Sequence, residues 1–120
     1  MIEWEEIMKD LKNKKMAIYI RVGTEEQALG FKKLQEEYLH HFNVERYYFD
    51  IASGTSIKNR PGLNQLLNDI KTGKVNCVFV KNISTLTRSV PDLIKLENFF
   101  KENHCRFIPV YRQLQQKRNR

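Results

Sequence analysis

At 120 residues, 41% hydrophobic and 29% charged, the chain is sized for one compact domain built on a single core. Lys and Arg number 21 against 14 Asp and Glu, a formal charge of +7, which points to an anionic partner, either nucleic acid or an acidic membrane surface. No apolar run nears the roughly eighteen residues that cross a bilayer, and the charged start MIEWEEIMKDLKNKK contains no signal-peptide stretch, so a soluble, cytoplasmic chain is expected.

Trp4, Ile7, Met8 and Leu11 recur at helical spacing and predict an amphipathic helix within residues 1–15. Residues 16–22 (MAIYIRV) are apolar almost throughout, the pattern of a strand buried on both faces. Thr24 and Gln27 stand at capping-box spacing, and Ala28, Phe31, Leu34, Tyr38 and Leu39 mark one face of a helix reaching about Phe42. Residues 44–49 (VERYYF) predict a second strand, and residues 50–60 (DIASGTSIKNR) a polar loop. Pro61 suits the first turn of a helix carrying Leu63, Leu66, Leu67 and Ile70, and Gly73 suits its stop.

A third strand is expected over residues 75–80, then a short connection over 82–88. Ser89 and Pro91 open a helix bearing Leu93, Leu96, Phe99 and Phe100, and a fourth strand follows over residues 105–111. Strands that alternate with helices in this way predict an α/β domain, mainly a parallel four-stranded sheet with helices on both faces. Cys77 and Cys105 sit in apolar runs and read as reduced core thiols; His40, His41 and His104 have no ligand-spaced partners, so surface or capping roles are expected and no metal site.

Ligands of open parallel sheets gather beyond the C-terminal strand ends. There the chain places Arg21, Lys58, Arg60, Lys81 and Arg88, interleaved with the hydroxyls of Ser53, Thr55, Ser56, Ser84, Thr85 and Thr87. Guanidinium groups grip phosphate through paired hydrogen bonds and keep their charge, so this edge reads as a phosphate site. The competing reading is a set of ordinary ion pairs, Arg21 with Asp50 and Arg88 with a helix carboxylate. No dinucleotide turn or P-loop is present. After Glu102 no acidic residue occurs, while Arg106, Arg112, Lys117, Arg118 and Arg120 follow, a basic tail able to meet phosphates or simply a solvated terminus.

The segments AIYIRVGTEEQ (17–27), SGTSIKNRPGLNQLLNDIKTGKVNCVFVK (53–81) and LTRS (86–89) resemble the catalytic domain of the serine recombinases, the resolvase and invertase family that includes the large serine integrases. The likeness covers about residues 16–110. It implies a resolvase-like three-layer domain acting in site-specific DNA recombination, where both strands are cut and rejoined through a transient phosphoserine without metal or nucleotide cofactor. By the same resemblance Arg21, Arg60 and Arg88 would hold the scissile phosphate, and Gln27 matches the family's catalytic glutamine on the helix after the first strand. Lys58, Lys81, Lys117, Arg118 and Arg120 would add contacts to DNA. The three arginines are therefore expected close together.

Two positions depart from the family pattern. Its first motif reads RVS, whereas this chain reads Arg21-Val22-Gly23, so a glycine stands at the place of the attacking serine. An Asp-Arg or Ser-Arg pair is usual after the third strand, and here Ser84-Thr85 takes its place. A cleavage-defective, nucleoid-associated recombinase domain is the expectation, with DNA and its own or an intact recombinase's subunits as partners. The alternative is a non-enzymatic DNA-binding or recombinase-interacting regulatory module. Residues 16–111 are expected to form the domain, and residues 112–120 read as the start of a truncated helix.

Overall fold

The computed structural model describes residues 14–23, 29–30, 44–51 and 59–109. Four strands, β1 (Met16–Val22), β2 (Val44–Ile51), β3 (Cys77–Val80) and β4 (Arg106–Pro109), form one sheet in the order β2-β1-β3-β4, with every pairing parallel. Among the described residues, two helices, α1 (Pro61–Lys71) and α2 (Val90–Glu102), and a 3₁₀ turn (Ile83–Thr85) lie between β2 and β4. The expected helices over residues 1–15 and from 112 onward lie outside the described residues. Of the helix expected over residues 24–42, only Leu29 and Gly30 are described, and both are helical.

Alternation along β1 explains why its sequence is apolar nearly without break. Ala17 and Tyr19 face a cluster with Val78, Val80, Leu63, Leu66, Ile70, Leu96 and Phe100, which places α1 and α2 on that face. Met16, Ile18 and Ile20 face the opposite side, packed with Cys77, Phe79 and Ile108. Each fully buried leucine of the first cluster contributes about 1.5–3 kcal/mol. The edge strand β2 differs, for Tyr47, Phe49 and Ile51 are exposed while Tyr48 and Asp50 turn inward.

Strand ends depart from the sequence expectation for local reasons. β2 runs on to Ile51 because Asp50 and Ile51 pair with Arg21 and Val22. β3 begins at Cys77, not at residue 75, since the Val75 N–H donates to the Asp69 carbonyl and the Asn76 N–H to that of Lys15. β4 begins at Arg106 because the Cys105 N–H closes α2 by donating to the Phe100 carbonyl. Both cysteines are buried free thiols, and burial pushes each up to about 12, keeping them protonated at neutral pH.

The Arg-Pro-Gly run that opens α1 has a physical reason at each residue. The Arg60 carbonyl accepts the Asn64 N–H at 3.0 Å, and Pro61 occupies a first-turn position where no N–H is needed. Gly62 is required by close approach: a Cβ there would lie 2.3 Å from the Phe49 carbonyl oxygen and 2.8 Å from its carbon. Both atoms are main chain of β2, so Gly62→Ala must push the helix off the sheet. A loss of about 1–3 kcal/mol is expected, read as a lower urea midpoint at unchanged slope.

At the other end of α1, Gly73 takes the left-handed conformation (φ 81°) that ends helices. The Ser89 hydroxyl caps α2 by accepting the Asp92 N–H at 3.4 Å, and His104, at φ 52°, performs the glycine-like turn after it. A capping role was one of the two expected for this histidine.

Candidate phosphate-binding crevice

From β1 the chain moves outward to β2, then returns past β1 to build β3. In parallel sheets that reversal marks the place where a crevice opens, at the C-terminal ends of the two diverging strands. Arg21 and Gly23 leave β1 there, and Lys81, Ser84, Thr85 and Arg88 follow β3. The N-terminus of α1 delivers Arg60 to the same place.

Asn82 shapes the turn after β3. Its side-chain oxygen accepts from the Ser84 hydroxyl at 2.7 Å and from both the Thr85 N–H and the Thr85 hydroxyl at 3.2 Å. The Thr85 side chain, buried with only 4% of its surface exposed, is consumed by this turn, and the carbonyls of residues 84–86 accept from donors outside it. Two arginines supply them. Arg21 donates from Nε to the Thr85 carbonyl at 2.9 Å and from Nη2 to that of Ser84 at 2.8 Å. Arg60 donates from Nη2 to the same Thr85 carbonyl at 2.9 Å and from Nη1 to the Leu86 carbonyl.

Two of the three arginines, Arg21 and Arg60, thus meet on one carbonyl oxygen. Burial lowers the Arg21 pKa below its ordinary value, the positive charges of Arg60 and Arg88 lower it further, and Tyr19 acts in the opposite sense. An incoming anion would relieve this repulsion. Arg88 and Lys81 are exposed, and Arg21 is partly exposed. Gln27, Lys58, Lys117, Arg118 and Arg120 lie outside the described residues.

Asp50 does not serve as the ion-pair partner considered for Arg21. Its carboxylate accepts the Tyr19 hydroxyl at 2.6 Å and the N–H groups of Gly62 and Leu63 at 2.8 Å each. A carboxylate at the start of α1 satisfies two orphan donors and meets the positive end of the helix dipole. Sequence reasoning missed Tyr19 and this use of Asp50. The available signal was a tyrosine inside an otherwise apolar strand, because a buried phenol needs a hydrogen-bond partner.

Against known proteins, residues 16–119 match the family model described as the resolvase N-terminal domain. The chain belongs to the resolvase N-terminal domain family. Among solved structures, this resolvase domain is similar to the N-terminal catalytic domain of TP901-1 integrase, at 32% identity and a TM-score of 0.71, covering 83% of this chain and 80% of that one. The first open reading frame of transposon ISC1904 from Sulfolobus solfataricus P2 is similar at 26% identity and a TM-score of 0.70, covering 80% and 66%. A serine recombinase from Sulfolobus solfataricus is similar at 25% identity and a TM-score of 0.66, covering 80% and 67%. The resolvase domain is thus a serine-recombinase catalytic domain by family, the class of site-specific DNA recombination.

Proposed function

We propose that this resolvase domain holds the DNA phosphate backbone in the crevice between β1 and β3 without cutting it. The observation that carries the reading is Arg21, partly exposed at the end of β1 and meeting Arg60 on the Thr85 carbonyl, with the charge of the exposed Arg88 acting on it as well. Clustered guanidinium groups at an open crevice repel one another until an anion arrives, and a DNA phosphate is the anion that family membership supplies. Lys81 lies at the rim, and Lys58, Lys117, Arg118 and Arg120 are proposed as further backbone contacts.

The proposed loss of cleavage rests on the resemblance that sets Gly23 at the serine position. The hydroxyls around the crevice, among the described residues, support it. Ser84 and Thr85 both donate to Asn82, Tyr19 donates to Asp50, and the Thr87 hydroxyl accepts the Ser89 N–H at 3.0 Å. Each already serves the fold, and phosphoryl transfer tolerates little displacement of an attacking oxygen from the line of displacement.

Binding to a fluorescent duplex over a salt series tests the first half. Affinity should fall steeply with salt, and Arg88→Gln should reduce the slope of log K against log salt by about 0.9 while leaving the melting temperature unchanged. Binding that ignores ionic strength would overturn the reading.

A further inference from the structure

Arg60 is 1% exposed and heads the largest fully buried side chains, ahead of Tyr19 at 0%. Its Nε and Nη2 donate to the Tyr19 hydroxyl at 3.1 and 2.8 Å, Nη2 also reaches the Thr85 carbonyl at 2.9 Å, and Nη1 donates to the Leu86 carbonyl. The guanidinium lies over the Tyr19 ring, 5.4 Å from its centre. Every one of these acceptors is internal. To reach a phosphate, Arg60 would have to abandon a buried hydroxyl and two buried carbonyls, each then short of a partner.

The buried charge has a counter-charge one hydroxyl away. Tyr19 donates to Asp50 at 2.6 Å while accepting from Arg60, so a neutral phenol couples a buried cation to a buried anion. Burial, followed by the hydrogen bond to Asp50, holds the Tyr19 hydroxyl well above its ordinary pKa and keeps it in the donating form. The relay ties β1, the end of β2 and the start of α1 to the turn after β3, and Arg88 lies just beyond that turn.

The geometry points to Arg60 as a positioning residue and not a phosphate ligand: held by Tyr19 and Asp50, it fixes the Thr85 and Leu86 carbonyls and thereby sets where Arg88 is presented beside Arg21. The part that concerns Arg88 rests on the phosphate reading of the crevice; the internal role of Arg60 does not.

The test uses the full chain labelled with ¹⁵N, reading the arginine Nε–H signals, assigned through Arg21→Lys, Arg60→Lys and Arg88→Lys. The Arg60 Nε–H is expected to exchange with solvent on the order of a hundredfold more slowly than that of Arg88. On adding a duplex oligonucleotide the Arg88 signal should shift and the Arg60 signal should stay. Tyr19→Phe, which deletes one buried oxygen and no charge, should speed Arg60 exchange about tenfold and move the Arg88 signal in the free protein. Fast Arg60 exchange in the unaltered chain, or an Arg60 shift on DNA as large as that of Arg88, would overturn the assignment. An Arg88 signal unmoved by Tyr19→Phe would overturn the positioning role. If no arginine responds to DNA, the phosphate reading fails, while the exchange and Tyr19→Phe results still decide what Arg60 does.

Discussion

Asp50→Ala is expected to destabilise the fold by about 3–5 kcal/mol, the usual consequence of removing one partner from a buried charge network. The substitution strands the buried Arg60 cation without its counter-charge, removes the acceptor of the Tyr19 hydroxyl, and leaves the N–H groups of Gly62 and Leu63 unpaired at the start of α1. Asp50→Asn should lose less, because the amide oxygen still accepts one of these donors. Asp92→Ala is the comparison, since Asp92 lies in the first turn of α2 and contributes only through the helix end, about 0.3–1 kcal/mol. Urea unfolding of the three variants decides the matter. An Asp50→Ala loss no larger than that of Asp92→Ala would mean that the Asp50–Tyr19–Arg60 relay does not hold the site together.

The Gly23→Ser variant is expected to form a protein–DNA adduct slowly, where the unaltered chain is expected to form none. Loss of a catalytic nucleophile removes something like six orders of magnitude, about 8 kcal/mol of barrier lowering, whereas loss of one charged stabiliser removes about two to three orders. Restoring the hydroxyl recovers the larger share. Gly23 is exposed directly after β1. Thr85→Arg is a poorer companion, because the Thr85 side chain is buried in the Asn82 turn and its replacement dismantles the carbonyl arrangement that Arg21 and Arg60 grip. Nicked duplex substrates and denaturing gels give the readout. An adduct with the unaltered chain would refute the proposed loss of cleavage, and its absence from both would mean that the Ser84-Thr85 departure alone disables the site.

Local chemistry made much of the fold legible. The span of β1 and the beginning of α1 match the sequence expectation, because continuous apolarity and a first-turn proline act within a few residues. Gly73 and Ser89 were readable in the same way, one supplying left-handed backbone and the other a cap oxygen. Strand ends were less so. Asn76, Val75 and Cys105 surrender their N–H groups to partners that no short window reveals, and β2 lengthens only because β1 lies beside it.

The site divides along the same line. Residue type and spacing alone identified Arg21, Arg60 and Arg88 as cations beyond strand ends, and the motifs around them sufficed to point to the resolvase family. Which of the three is available to a ligand is a property of packing. Tyr19 lies 31 positions from Asp50 and 41 from Arg60, and only the sheet order β2-β1-β3-β4 brings the three together and buries Arg60 while Arg88 remains exposed. A charge pattern in sequence records which groups can bind phosphate, but desolvation and internal hydrogen bonds, which exist only in the folded chain, decide which group is free to do so.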